Sequence, residues 1–532
     1  MADLVLLNGT VWTGETGAPR AEAVALRDGK IAAVGSSRDL RRLAGGAAKV
    51  IDLGGGLVLP GFIDSHTHFL DGGFSLLSLR LREASSRDEF VSRIARRAGE
   101  LPKGGWILNG DWDHQQFDFP ELPRREWIDA VTPDNPLCVN RHDGHMMLVN
   151  TLALRIAGLT AKTPSPEGGE ILKDPATGEP TGILKDAAIG LVSRHIPAAS
   201  FATKLRAAEA ALREAAAKGV TSVHDMADSS NFEVYQELLR AEKLTARVFL
   251  YIPIDNLDIY ERLRLKTPFG SDRLKIGGLK AFVDGSLGSG TALFFDPYAD
   301  NPQSSGLFHE QMFPEGIMEQ RVLAADRAGL QVAVHAIGDR ANAIILDIYE
   351  KAVRQNGPRD RRWRVEHAQH LRPSDIPRFG SLGVIASVQP FHAVDDGRWA
   401  ESKIGRERCL TIYAFRSLLD GGAVLALGSD WTVAPLNPLT GISAAVTRRT
   451  TDGKNPGGWF PEQRLTLEET LTGYTRNGAY AEFAEKVKGT IAPGKLADLV
   501  VLDRNIFEVP PENIPDARVR LTILDGDIIF EQ

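Results

Sequence analysis

Two histidines one residue apart close a short apolar run in Phe62-Ile63-Asp64-Ser65-His66-Thr67-His68. In a strand, residues two apart project to the same side. A strand over Ile63 to His68 therefore aims the imidazoles of His66 and His68 at one point, an arrangement that suits zinc and similar borderline metals. By the same alternation Asp64 faces that side and is a candidate to hold the histidines from behind. Two unrelated loop histidines can share this spacing. Against that, four later apolar runs also end in residues able to bind metal: Ile276 to Asp284, which contains Lys280, then Val332 to His335, Arg364 to His367, and Val424 to Asp430.

The elements that must position these residues follow from the runs between them. Strands are expected at Ile63 to His68, Val220 to Asp225 and Arg247 to Pro253, with a fourth ending at Lys280 and a fifth at His335. A sixth ends at His367, a seventh spans Ile385 to Gln389, and an eighth ends at Asp430. Helices lie between them. Ser200 can cap one over Phe201 to Lys218, which Gly219 ends. Gly338-Asp339 opens another, with Ile344, Ile345, Ile348, Tyr349 and Ala352 on one face and Gly357-Pro358 after it. Eight strands alternating with helices predict a (β/α)8 barrel of the α/β class, whose chemistry sits at the C-terminal strand ends.

Both ends of the chain read differently. Ala2-Asp3-Leu4-Val5-Leu6-Leu7 stops at Asn8-Gly9, and Ala497-Asp498-Leu499-Val500-Val501-Leu502 nearly repeats it. We expect one small composite β domain built from residues 1–58 and 489–532, flanking a barrel over 59–488. Residues 70–219 are too long for a barrel loop and form an insert rooted at the catalytic end. Trp106, Trp112, Phe117, Phe119 and Trp127 are many aromatics for a surface loop, and Asp111, Asp113, His114, Arg141 and His145 sit among or just beyond them. A lid over the barrel mouth is expected from that mixture.

The His-x-His with the later Lys, His, His and Asp resembles the amidohydrolase superfamily, and more narrowly its amidohydrolase-3 group, which includes N-substituted formamide deformylases. The matching stretches run to about Asp503. The resemblance implies that His66 and His68 bind one metal and His335 and His367 another, most simply two zinc ions. It implies that Asp430 contacts a metal and moves the proton of the attacking water, and that Lys280 carries a carbamate bridging both ions. A lysine buried at a strand end loses its charge readily, which is the condition for reaction with carbon dioxide. The related group also has Gly-Trp-Asp and Gly-His segments like those at Asp111, Trp112 and His145, so these residues are expected at the substrate, with Gln389 lining the site from the end of strand 7. His142, His114 and His392 are weaker candidates, and His224 is balanced between pocket and core. His195, His309 and His370 read as surface or structural, and Gly285-Ser286-Leu287-Gly288-Ser289 as a flexible loop able to close over a ligand.

Composition narrows the classes. The 532 residues are 43% hydrophobic and 25% charged with a net charge of −7, an ordinary globular balance that gives no footing for a nucleic-acid partner. Two cysteines, Cys138 and Cys409, exclude a disulfide framework or a Cys-rich zinc site. With no basic leader and no apolar run of spanning length, a cytoplasmic protein with no membrane partner is expected. The partner implied is a small-molecule substrate, and a homo-oligomer is compatible with the sequence without being specified by it. The resemblance implies a metal-dependent hydrolase that uses metal-activated water on a non-peptide carbon–nitrogen bond of an amide, N-formyl or N-acyl group. The alternative from another class is a non-catalytic ligand-binding or regulatory protein on the same fold.

Overall fold

The computed structural model describes residues 2–118 and 120–532. Eight parallel strands lie side by side in sequence order: Phe62–Thr67, Val220–Met226, Arg247–Pro253, Leu274–Phe282, Gln331–Ala336, Arg364–His367, Ile385–Val388 and Leu425–Leu427. Their residues form near-continuous apolar runs because helices cover the outer face while side chains fill the interior. The seam between the eighth and first strands is closed by two backbone bonds, Asp430 N–H to His66 O and His68 N–H to Trp431 O, each 2.7 Å. The result is a nearly closed (β/α)8 barrel.

Two strand ends differ from the sequence expectation. The first strand stops at Thr67, and His68 is instead the N-cap residue of the helix Phe69–Leu76. The eighth stops at Leu427, three residues before Asp430, which adopts φ 57°. Both metal-binding candidates therefore sit where the chain has left strand geometry, and their directions are set by the turns rather than by alternation. The helix Phe201–Ala217 forms as expected, with Ser200 accepting from the Thr203 N–H at 3.2 Å.

The chain termini build a small β unit of two sheets. One is N-terminal throughout, in the order Lys30–Gly35, Ala23–Arg27, Ala2–Leu7, Ala44–Asp52. The other joins both ends, because Leu499–Leu502 runs antiparallel to Leu57–Pro60 with Val501 opposite Val58. The unit thus extends through Pro60, slightly beyond residue 58. Leu4, Val24, Val58, Leu499 and Ile523 pack in its core. Arg247 at the start of the third barrel strand anchors it: Nε and Nη2 donate to the Asp498 carboxylate at 2.7 and 2.8 Å.

The long insert has its own five-stranded sheet, in the order Gly169–Lys173, Pro180–Asp186, Met146–Val149, Leu137–Asn140, Ile107–Leu108. Trp112, Phe117 and Trp127 pack with Phe90, Leu137 and Leu148 in its core. The aromatic content that suggests a lid is thus largely consumed by an independent core. Phe119 lies outside the described residues. No helix among the described residues is long and apolar enough to cross a membrane.

Candidate metal centre and substrate cavity

A cavity of about 610 Å³ opens at the C-terminal ends of the barrel strands. His66, His68, Lys280, His335, His367 and Asp430 all line it. The chain thus brings together six residues drawn from the ends of the first, fourth, fifth, sixth and eighth strands.

The geometry is tightest around Asp430. Its Oδ1 lies 3.4 Å from His66 Nε2 and 3.5 Å from His68 Nε2, and one ligand atom from each of the three residues falls within 4.8 Å of the others. His66 Nδ1 is 2.5 Å from Glu366 Oε2. Against the cost of burial, Arg364 and His66 hold the Glu366 carboxyl well below the usual carboxylate range, so it is an anion that accepts a hydrogen bond from Nδ1–H. That leaves His66 Nε2 with a lone pair. Burial pushes the His66 imidazole down to about 4 and the His68 imidazole to about 3, so both are neutral. Two imidazole nitrogens and a carboxyl oxygen therefore converge, and Asp430 Oδ1 is buried without a hydrogen-bond partner. Electron pairs gathered this way match a cation.

The far side of the cavity is built on the fifth and sixth strands. His335 and His367 rings lie 4.5 Å apart, and His66 and His367 rings 5.0 Å apart. His335 Nε2 is 3.0 Å from Gly285 O and donates to it, which leaves Nδ1 with the lone pair. His367 Nδ1 lies 2.8 Å from Gln389 Oε1 and 4.0 Å from Asp430 Oδ2. Lys280 Nζ is buried, makes no hydrogen bond, and sits 4.4 Å from the centre of the Phe282 ring. Burial pulls its pKa down to about 8, against the opposing carboxylates of Glu366 and Asp430. Burial likewise raises the Asp430 carboxyl well above its ordinary value. Lys280 thus faces the cavity as an unpartnered amine, and the donor set as a whole fits divalent metal.

Comparison with known proteins finds relatives along nearly the whole chain. The sequence profile described as "Amidohydrolase family" matches residues 49–530. The Arabidopsis thaliana "Protein LONG AFTER FAR-RED 3" is 41% identical over 543 residues, covering 100% of this chain and 92% of that protein. The Arthrobacter pascens "N-substituted formamide deformylase" is 28% identical over 551 residues, covering 100% and 99%. Among solved structures, an uncharacterized metal-dependent hydrolase from Pyrococcus horikoshii superposes with a TM-score of 0.76 at 29% identity, over 96% of this chain and 99% of that one. The chain belongs to the amidohydrolase family.

The walls of this amidohydrolase's cavity come mainly from the insert. Asn109, Asp111, Asn140, Arg141, His142 and His145 line it. Asp111 is fully engaged: Oδ1 accepts from Asn140 Nδ2 at 2.6 Å, and Oδ2 accepts from Ser75. His145 Nδ1 is 2.7 Å from Asp186 Oδ1, so Nε2 is the nitrogen left for a ligand. Burial works against its charge, yet the Asp186 bond and carboxylate hold His145 above the ordinary histidine value. Asp186 keeps this pose at φ 47°, ψ −123°, a costly conformation for a non-glycine residue.

Several sequence expectations need correction. Trp112 does not line the cavity; its indole is wholly buried in the insert core, and Nε1 donates to Val139 O at 2.9 Å. Gln389 is also absent from the lining, since its amide is spent on His367. Asp64 does not reach the histidine rings; Oδ1 accepts from the backbone N–H of Ser429 at 2.8 Å and of His66 at 3.2 Å. The carboxylate behind His66 is Glu366, which sequence reasoning missed although Arg364-Val365-Glu366-His367 placed it two residues from an inward-facing arginine. The Gly285–Ser289 loop is not a free flap. Ser286 and Ser289 hydroxyls both donate to Asp143 Oδ2, and a Cβ on Gly288 would lie 2.5 Å from Arg141 Nη1. His309 stacks on Phe282 and lines the cavity. His224 is buried in the barrel interior, accepting from Arg364 Nη1 at 2.8 Å.

Two outcomes follow from this geometry. Glu366→Gln keeps the shape but removes the charge that anchors His66 Nδ1–H, so metal affinity falls about 10–100-fold; equilibrium dialysis showing unchanged affinity would refute the assignment. Trp112→Ala lowers stability by about 3–5 kcal/mol and leaves substrate ranking alone, whereas His145→Ala changes KM. A panel of N-acyl compounds separates the two, and an altered ranking in Trp112→Ala would return the indole to the substrate site.

Proposed function

We propose that this amidohydrolase is a metal-dependent hydrolase of small molecules that cleaves a carbon–nitrogen bond other than a peptide bond, in an amide, N-formyl or N-acyl group. The observation that carries the reading is the convergence of His66 Nε2 and His68 Nε2 on an unpartnered Asp430 Oδ1. The similarity to the Arthrobacter pascens N-substituted formamide deformylase along the whole chain supports the bond class. His66 and His68 would hold one cation and His335 and His367 a second, with zinc matching the imidazole-rich donor set and carboxylated Lys280 between them. Bound divalent ions supply an acidified water and polarise a carbonyl oxygen.

The chain's own residues do the rest. Asp430 accepts the proton of the attacking water on its carboxylate and returns it to the leaving nitrogen, acting first as base and then as acid. Glu366 keeps the His66 proton on Nδ1, away from the centre. His145 presents Nε2 as a donor from the insert wall, where Asp186 fixes its ring. The insert, joined to the loop after the fourth strand through Asp143, covers part of the mouth and restricts bulk water.

Asp430→Asn is expected to keep metal and fold while losing about 10²–10⁴-fold in kcat; near-wild-type kcat with metal bound would remove Asp430 from the proton path. A full metal complement without turnover on any amide, formamide or ester would instead favour a ligand-binding role. For Lys280, a crystal grown with metal and bicarbonate is expected to show carbamate density on Nζ, and a bare amine between two bound ions would rule the modification out.

A further inference from the structure

His392 lies in the helix Pro390–Asp396, directly after the seventh strand. Its position in the sequence gives no hint of a metal role, because it follows Gln389-Pro390 rather than ending an apolar run. In the folded chain it stands at the cavity wall beside His367, the two rings nearly parallel at 15° with centres 6.3 Å apart. One ligand atom from each of His367, His392 and Asp430 lies within 4.8 Å of the others. No such cluster includes His335 among the described residues.

The hydrogen bonding of His392 points the same way. Its Nε2 is buried and makes no hydrogen bond. A bare, buried imidazole nitrogen on a ring clustered with a second imidazole and a carboxylate is arranged as metal-ligating histidines are. A buried imidazole nitrogen without a partner is otherwise a cost.

Resting on the metal-dependent reading above, we propose that His392 is itself a metal ligand that joins His335 and His367 at the second cation site of this chain, where it clusters with His367 and Asp430. Asp430 then contributes to both clusters, Oδ1 toward His66 and His68 and the carboxylate as a whole toward His367 and His392. The seventh strand joins the centre through the helix that follows it.

The test is cobalt(II) binding to metal-stripped full-length protein, measured by equilibrium dialysis and by the visible spectrum of the bound ion. His392→Asn keeps a polar side chain and removes the Nε2 lone pair; His392→Gln is the second variant should the first fail to fold. Wild-type protein is expected to bind two ions, and either variant to bind the second at least about tenfold more weakly with an altered spectrum. His66→Ala serves as the control that weakens the first ion. Two ions bound by either folded variant with wild-type affinity and spectrum overturn the inference while leaving metal dependence intact, including where KM alone has changed. Wild-type protein that binds no divalent ion overturns both.

Discussion

The contact on which the rest of the centre depends is the barrel seam. The Asp430 N–H bonds to His66 O, the His68 N–H bonds to Trp431 O, and the Asp64 carboxyl takes the backbone N–H groups of Ser429 and His66. Three of these bonds join the first strand end to the eighth, the His66 N–H bond to Asp64 braces the first strand itself, and every one lies within two residues of a metal-binding candidate. Closing the barrel and assembling His66, His68 and Asp430 are therefore the same event. Gly428 is required for it, because a Cβ there would lie 2.6 Å from His66 N and 2.7 Å from Asp64 Oδ1. Any larger residue would pry the seam open and separate the ligands.

Beneath the seam the barrel interior is polar where apolar layers are the rule. Glu366 supports His66, Arg364 pairs with Glu366 with Nε 2.7 Å from Oε1, and Arg364 also donates to His224 and to the Tyr251 hydroxyl. His224 Nε2 lies 3.7 Å from Glu482, which pairs with Lys488, and Lys488 donates to Ser222 at 2.7 Å. A column of ionic and polar groups thus runs from the metal-binding end to the segment leading into the composite β unit. Buried charges of this kind are a poor source of net stability, and loss of one partner leaves another uncompensated. Their geometric effect is more specific: a guanidinium held on several sides fixes its carboxylate, and that carboxylate fixes one imidazole tautomer.

How far the sequence could be read follows from this architecture. The strands were legible because parallel barrel strands are continuous apolar runs, and the six ligand candidates were legible because each sits at the end of such a run. The composite β unit showed itself through the near-repeat of Ala2–Leu7 at Ala497–Leu502. Illegible were the partners contributed by distant segments. Glu366 looks like any charged strand residue until the barrel closes and brings its carboxylate against His66. Trp112 misled because an insert with its own core buries aromatics just as a lid would, and composition does not separate the two. Gln389 was placed near the site but with the wrong role, since the sequence gives its location and not the direction of its amide. Alternation failed at His68 and Asp430 for a related reason, because both lie in turns beyond the strands.

Backbone conformation adds a last constraint. His367, Ala368 and Asp430 have φ of 73°, 42° and 57°, and Asp111 and Asp186 on the insert wall have 51° and 47°. None is glycine, and such conformations cost about 1–3 kcal/mol each where surroundings enforce them. They gather around one cavity, where unpaired imidazole nitrogens, an unpaired carboxylate oxygen and an unpaired amine also gather. The strain and the unsatisfied polar groups have a common origin, since a chain free to relax at the strand ends would turn these side chains toward solvent or toward one another. The seam, the polar column and the insert prevent that relaxation. A cation that binds the folded chain and not the unfolded one stabilises it by mass action, so affinity at the centre and order at the barrel mouth are coupled through the same few residues.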